Sequence, residues 1–523
     1  VTKKGGSSSL VLARRASQAL FLLLFLFLFL QTEQKGADTL GYPVKLFLDF
    51  DPLLFLGALL ASHALVGAFW LSLLTLLATA VLGRVFCGWV CPLGTLNTLV
   101  GSLRKWPARP RVRGWFPLKY LILVFLLAAA LFGFQWAGVL DPLSLTVRSL
   151  ALGLYPALNT GLNALLDLMY RPEAPFWRAA AEAASGFLQR TVLAFQPPRF
   201  FQGGAIGALF LGVLALNLLE RRFWCRYLCP LGALLGLAGR WAFLKRTVSE
   251  GCTSCGLCDG ACPGGASTGE GKGWRPSECM VCFNCGDSCP ASAASFGFSG
   301  KPAPEGVDLS RRRILLAAAA GAAAVPLLRV APSPRGGRPN PALLRPPGAL
   351  PEEAFLERCV KCGECMKVCT TNGLQPALLE AGLEGLWTPV LVPRIGYCEY
   401  NCTLCGQVCP TGAIARLSRE EKVRVKIGLA SVDRSRCLPW AQGTPCIVCE
   451  EVCPTPTKAV WFEEVPGRNR EGAEVLLKRP HVDLDLCIGC GICEAKCPVL
   501  DRPAIFVTST GESRNPDNGL LLR

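Results

Sequence analysis

Residues 252–263 read Cys252-Thr253-Ser254-Cys255-Gly256-Leu257-Cys258-Asp259-Gly260-Ala261-Cys262-Pro263, and residues 279–290 repeat that spacing from Cys279 to Pro290. Three thiolates two residues apart wrap a loop around one face of an iron–sulfur cubane, and a fourth stands before proline. Both quartets, Cys252/Cys255/Cys258/Cys262 and Cys279/Cys282/Cys285/Cys289, are complete. Four more follow: Cys359/Cys362/Cys365/Cys369, Cys398/Cys402/Cys405/Cys409, Cys437/Cys446/Cys449/Cys453 and Cys487/Cys490/Cys493/Cys497. Departures are local. The Cys398 quartet opens with three intervening residues, the Cys437 quartet opens with eight, and Thr370 replaces the proline after Cys369. Zinc ribbons use paired C-x2-C knuckles, without a third cysteine at the same step followed by x3-C-P.

In two-cluster ferredoxins the fourth cysteine serves the neighbouring cluster. On that rule Cys252, Cys255 and Cys258 go with Cys289, and Cys279, Cys282 and Cys285 go with Cys262. Six quartets imply six [4Fe–4S] clusters and about 24 iron atoms. For the last four quartets, both sequential pairing and first-with-fourth, second-with-third pairing are compatible with the spacing. The remaining four of the 28 cysteines form two C-x3-C-P pairs, Cys87/Cys91 and Cys225/Cys229. Cysteines at i and i+4 face one way on a helix, so these four can converge as a shared seventh metal site. The other reading is redox-active or structural thiols.

The 523 residues carry 54 Lys+Arg against 38 Asp+Glu, a formal +16, with only 2 His. A four-thiolate cubane carries about −2 when oxidised, so six of them bring the loaded chain to about +4. The basic excess is thus partly cluster compensation, the Arg104–Arg113 run reads as a membrane-flanking loop, and no nucleic-acid partner is expected. Hydrophobic residues make up 51% of the chain and the mean hydropathy is +0.37, which excludes disorder over most of it.

Four apolar stretches, Ala16–Leu30, Pro52–Leu82, Leu118–Phe134 and Gly203–Leu219, approach the roughly 20 residues a bilayer crossing needs. Lys3, Lys4, Arg14 and Arg15, then Arg84 with the Arg104–Arg113 run, then Arg221, Arg222 and Arg226 would mark the cytoplasmic side. A signal peptide is the other reading of the first stretch, although no small-residue cleavage site follows Leu30. A fifth segment, Ile314–Val330, follows Arg311-Arg312-Arg313 and reads either as a twin-arginine signal or as a plain anchor.

The expected fold is an α-helical membrane bundle of four spans plus this fifth segment, carrying two ferredoxin-like α+β polyferredoxin modules of loop-rich βαβ type. The expected domains are a membrane part (1–245), a two-cluster module (246–300), a segment with a Pro/Arg/Gly linker (301–351) and a four-cluster module (352–523). The first module would lie in the cytoplasm and the last in a bacterial periplasm.

The apolar part contains a duplication. Asp51-Pro52-Leu53 precedes an apolar stretch and Cys87/Cys91; Asp141-Pro142-Leu143 precedes another and Cys225/Cys229, with about fifty extra residues inserted near 150–200. Each Asp-Pro reads as an N-cap with proline at the first helical position, or as a proton acceptor for quinol. His63, the one imidazole in an apolar segment, is either a packing residue or a quinone ligand, so Asp51, Asp141 and His63 form the candidate quinol site. His481 reads as structural or solvated.

Residues 1–300 resemble the membrane ferredoxin-type quinol dehydrogenase subunit of periplasmic nitrate reductase systems. Residues 310–523 resemble its periplasmic four-cluster ferredoxin partner, as though the two were fused. Similar patterns occur in methylamine-utilisation, nitrous-oxide-reductase activation and oxidase-assembly proteins. The resemblance implies an electron-transfer subunit of a multisubunit complex, drawing on the membrane quinone pool and serving periplasmic cytochrome or reductase subunits. The alternative is a maturation reductase for a partner metalloenzyme; a purely structural anchor would need no clusters. The chain has no C-x-x-C-H haem motif and no flavin or molybdopterin signature, so the terminal reductase is expected on another polypeptide.

Overall fold

A computed structural model describes residues 9–34, 36, 38–65, 67, 69–104, 115–171, 175–194, 196–268, 271–299, 309–329, 340–469 and 472–519. Lys3, Lys4, most of the Arg104–Arg113 run and part of the 301–351 linker lie outside the described residues.

The expected bundle of four or five spans is not what these residues form. Among them one helix, Ser9–Leu30, is long and apolar enough to cross a bilayer. Its 22 residues reach about 33 Å at 1.5 Å per residue. The other apolar helices, Pro52–Ser62, Trp70–Leu82, Leu118–Leu131 and Gly203–Leu218, have 10–17 residues, short of a hydrocarbon core about 30 Å thick. Backbone geometry explains the difference. The Pro52–Leu82 stretch breaks at His63, which adopts φ 50° at the helix C-cap, and Leu118–Leu131 ends before Gly133 at φ 78°. Arg311–Leu328 is a helix with Pro326 inside it. It packs by Gly321 against the backbone of Phe125, where a Cβ would collide with the carbonyl.

The described chain divides into two compact units. One comprises the described parts of Val1–Gln31, Tyr42–Leu150 and Gly204–Leu327; the other those of Thr32–Gly41, Ala151–Gly203 and Leu328–Arg523.

In the first unit the duplication is visible as matched elements. Asp51 caps Pro52–Ser62 by accepting from the Leu53 and Leu54 amides, and Asp141 caps Pro142–Ser149 through Leu143 and Ser144. Each half ends in a five-residue π-helical turn, Phe86–Val90 or Trp224–Leu228, followed by the helix Pro92–Ser102 or Pro230–Ala238. The first quartet pair sits in this same unit. The strands Leu244–Val248 and Ala294–Phe298 pair antiparallel around it, and Ser267–Thr268 pairs with Gly273–Trp274.

In the second unit the last four quartets are held by three antiparallel pairs. These are Leu374–Pro376 with Pro389–Leu391, Leu429–Val432 with Ile505–Thr508, and Val460–Arg468 with Glu474–Val482. Among the described residues every sheet is a two-stranded antiparallel ladder, not the parallel pairing of a βαβ unit; cysteine loops fill the connections from Leu244–Val248 to Ala294–Phe298 and from Leu429–Val432 to Ile505–Thr508. The inserted residues pack on this block: Asn372 Nδ2 donates to the Arg199 carbonyl at 2.6 Å, and Trp387 Nε1 to Gln202 Oε1 at 3.0 Å. Asp38 also belongs to it, accepting from the Thr403 amide and hydroxyl at 2.8 Å each.

Candidate iron–sulfur centres

The C-x2-C-x2-C loops share one backbone device. Residues on either side of the second cysteine have positive φ: Ser254 and Gly256, Val281 and Phe283, Lys361 and Gly363, Gly489 and Gly491. Left-handed residues flanking a thiol turn successive N–H groups inward, a concavity suited to anions. Val281 at φ 49° is β-branched, so this conformation is strained and marks a functional loop. The two quartets with irregular openings lack the device. After Cys402, Thr403 has φ −122°, and after Cys446, Ile447 has φ −127°. Other parts compensate. Lys422 Nζ donates to the carbonyls of Glu399 and Tyr400 at 2.6 Å each, pinning the longer Cys398 loop. The eight-residue opening begins with a short helix, Leu438–Ala441, with Cys437 at its N-cap position.

Three cavities in the second unit are each lined by four cysteines. One takes Cys359, Cys362, Cys365 and Cys409. Another takes Cys398, Cys402, Cys405 and Cys369, and a third Cys487, Cys490, Cys493 and Cys453. Cys437 has both Cys446 and Cys497 as electrostatic neighbours. The fourth cysteines therefore exchange between adjacent quartets, and pairing runs sequentially, the choice that spacing left open. In the first unit Cys279, Cys282 and Cys285 are each pushed up by burial and then by neighbouring thiols that include Cys262, in line with the exchange rule. Backbone amides reach the sulfur of the pre-proline cysteines: Ala266 to Cys262 at 3.2 Å, Ala293 to Cys289 at 3.3 Å, Ile414 to Cys409 at 3.5 Å and Ala504 to Cys497 at 3.4 Å. Among the described residues no group of three or more His, Cys, Asp or Glu is gathered tightly enough for a single metal ion. The thiol-only donor sets would suit an iron–sulfur cluster by their chemistry.

The C-x3-C-P pairs are built differently from an i,i+4 helical face. The Cys91 amide donates to the Phe86 carbonyl at 2.9 Å, one residue further back than in an α-helix. Cys91 itself is the N-cap of the next helix, its sulfur accepting from the Gly94 amide. Cys229 repeats this with Gly232 at 3.2 Å. A thiolate at a helix N-terminus is stabilised by the macrodipole. All four cysteines are buried and converge: burial, and after it Cys87 and Cys225, push the Cys91 thiol up. Cys229 responds to burial, then to Cys225 and Cys87.

A buried charge network surrounds this four-thiol centre. Arg84 Nη2 lies 3.9 Å from Cys87 Sγ, while its Nη1 donates to the Ser277 carbonyl at 3.0 Å and faces Glu278 at 3.4 Å. Lys119 is ion-paired to the same Glu278 carboxylate, and the Tyr120 hydroxyl donates to it at 2.8 Å. Arg222 Nη1 donates to the Cys87 carbonyl at 3.0 Å and meets Met280 Sδ at 2.8 Å. Arg84, Lys119 and Arg222 against Glu278 leave a formal +2 beside the four thiols. Asn97 Nδ2 lies 3.9 Å from Cys225 Sγ, while its Oδ1 accepts from Asn217 Nδ2. Composition did not single out Glu278, Lys119 or Tyr120. The signal was a lysine inside the apolar 118–134 stretch and a carboxylate directly before Cys279.

The centre is seated against the Cys279–Cys285 loop. Trp89 Nε1 donates to the Val281 carbonyl at 2.9 Å, and a Cβ on Gly88 would run into the Met280 carbonyl oxygen. Gly88→Ala is expected to cost about 1–3 kcal/mol in chemical unfolding of the loaded protein; an unchanged midpoint would show that this approach is not tight. Arg14 is buried, with Cys282 among its charge partners. Arg246 Nη2 stands 3.5 Å from Cys258 Sγ.

Asp51 and Asp141 do meet. Each spends one oxygen on two backbone amides, and each is an electrostatic neighbour of the other. Burial, and after it the Asp141 charge, raises Asp51 well above the carboxylate range. His63 is exposed at its helix end and takes no part. His481 stacks on Trp461 at 4.6 Å and lies 3.3 Å from Glu463, a structural role.

Cysteine loops of this kind, arranged in exchanging pairs, define a ferredoxin-type 4Fe–4S electron-transfer protein. The comparisons agree. A family described as "4Fe-4S binding domain" matches residues 63–110, 202–249 and 405–429, the first two holding one C-x3-C-P pair each. A second family of that description matches residues 480–500. The putative electron transport protein YccM of Escherichia coli is 29% identical over 260 residues, covering 47% of this chain and 59% of that protein. The ferredoxin-type protein NapG of E. coli is 42% identical over 105 residues, 20% of this chain and 44% of its own. The methylamine utilization ferredoxin-type protein MauN of Methylorubrum extorquens is 30% identical over 215 residues, 39% and 55% respectively. The chain spans about half the length of the curated relatives it matches. No solved structure matches it.

Proposed function

We propose that the chain conducts electrons from quinol through [4Fe–4S] clusters to a redox partner protein. When bound, the clusters supply one-electron chemistry at potentials tuned by sulfur hydrogen bonds, charge and solvent exposure. Six ligand sets join three cysteines of one quartet to the fourth of its neighbour: Cys252/Cys255/Cys258 with Cys289, Cys279/Cys282/Cys285 with Cys262, Cys359/Cys362/Cys365 with Cys409, Cys398/Cys402/Cys405 with Cys369, Cys437/Cys446/Cys449 with Cys497, and Cys487/Cys490/Cys493 with Cys453. Cys87, Cys91, Cys225 and Cys229 form a seventh.

The observation that carries this reading is the seating of the four-thiol centre on the Cys279–Cys285 loop, where Arg222 touches both. That contact supports a path from the duplicated helices into the two-cluster module. Buried Arg14, Arg84 and Arg222 hold positive charge beside the sulfurs, favouring the reduced state. On this reading the Asp51–Asp141 pair takes up a proton, and the Ser9–Leu30 helix anchors the chain at the membrane that holds the quinone pool. The partners are cytochrome or reductase subunits of one complex.

Iron and acid-labile sulfide analysis of the purified chain is expected to return about 28 of each, for seven cubanes. About 24 would leave the C-x3-C-P centre without a cluster. Quinol is expected to reduce the clusters, read by electron paramagnetic resonance. Clusters reducible by dithionite but indifferent to quinol would refute quinol oxidation and favour a maturation reductase.

A further inference from the structure

The first unit contains an apolar cavity of about 280 Å³, close to the lower end of small-ligand pockets at roughly 300 Å³. Phe21 and Leu24 of the Ser9–Leu30 helix form one wall, Phe47 and Phe50 another, and Phe86 and Val90 a third. Its position relates three features already described. Phe86 and Val90 lie next to Cys87 and Cys91, so one wall is the π-turn of the four-thiol centre. Phe50 directly precedes Asp51. On the rim Leu74 is 56% exposed, and the facing wall belongs to the one described helix able to enter a bilayer, so the cavity opens where an isoprenoid chain would run.

The polar lining is specific. Among the described residues that line it, Thr75 and Thr79 alone have polar side chains, and both hydroxyls already donate, Thr75 to the Phe50 carbonyl and Thr79 to the Thr75 carbonyl, at 2.8 Å each. What they still offer is lone pairs. A quinol brings two hydroxyl donors; a quinone brings acceptors alone and would meet acceptors.

We infer that this cavity is the quinol site and that Thr75 and Thr79 make it select the reduced ring over the oxidised one. The inference rests on the quinol reading above and adds where the ring sits and which redox form is preferred. An acceptor-only lining releases the oxidised product, because that product has no hydrogen to donate.

The test uses the full chain with its clusters, in detergent. Binding of the quinol-site inhibitor 2-heptyl-4-hydroxyquinoline N-oxide is followed by its fluorescence quenching, and cluster reduction by decylubiquinol is followed by electron paramagnetic resonance. Ala78→Trp, which fills the cavity from its rim, is expected to weaken inhibitor binding at least tenfold and to slow quinol-driven reduction in parallel, with dithionite reduction unchanged. Leu99→Trp, on another exposed face, is expected to change neither. Thr79→Val is expected to lower the affinity for decylubiquinol more than that for decylubiquinone. If Ala78→Trp binds inhibitor and oxidises quinol like the wild type, the cavity assignment fails while the quinol reading stands. If the wild type binds inhibitor here yet quinol reduces no cluster, the quinol reading fails instead. Equal losses for both redox forms in Thr79→Val would overturn the selectivity.

Discussion

Glu278→Ala is expected to destabilise the first unit by about 3–5 kcal/mol, the cost of leaving buried cations without their counter-charge. Glu278 is fully buried and holds Arg84, Lys119 and Tyr120 together. Nothing else named in that network is anionic until the thiols are metallated. Truncation strands two cations and removes the acceptor of the Tyr120 hydroxyl. Glu278→Gln keeps the shape and the Tyr120 bond and is expected to cost less. Denaturant midpoints of the two variants, taken on protein of matched iron content, check the ordering. Equal, small losses would mean that water reaches the site. The loss is also expected to grow when iron is removed, because a cubane of about −2 supplies part of the compensating charge.

The second large effect concerns which cysteines act together. Cys369→Ser alone is expected to remove one cluster, about four iron atoms. Adding Cys398→Ser is expected to remove no more, because both sulfurs line one cavity. Adding Cys359→Ser instead is expected to remove a second cluster, about eight iron atoms in all, since Cys359 lines another cavity with Cys409. The reverse pattern, with Cys369 and Cys359 non-additive, would mean that each quartet keeps its own fourth ligand. Iron and sulfide counts decide between them. Folding and metal binding are coupled in such loops, so the comparison is made on soluble, monodisperse protein.

How much of this was legible beforehand depends on the range of each interaction. The cysteine loops are local. Their ligand spacing spans a few residues, and the exchange of the fourth cysteine between Cys262 and Cys289 follows from a short-range rule. Asp51 and Asp141 as N-caps before proline were equally local readings, and both appear as such. Hydropathy misled for the opposite reason. It averages over a window and cannot register that one residue, His63, turns left-handed and ends a helix after Ser62. Three of the four stretches that looked like spans form helices of 10–17 residues instead. The C-x3-C geometry was misread as one α-helical face, because a π-turn followed by an N-cap cannot be told from an α-helix by spacing alone.

Sequence by itself determined the donor atoms: 24 cysteines in cubane spacing, four more in a duplicated frame, and hence iron–sulfur chemistry, since thiolate ligation depends on residue type and on separations of two or three residues. Tertiary structure alone decided the partnerships. Sequential exchange among the last four quartets, the convergence of Cys87, Cys91, Cys225 and Cys229, and the Glu278 network at their side all join residues tens to hundreds of positions apart. Such contacts are selected by the packing of whole elements, a property that no stretch of chain carries on its own.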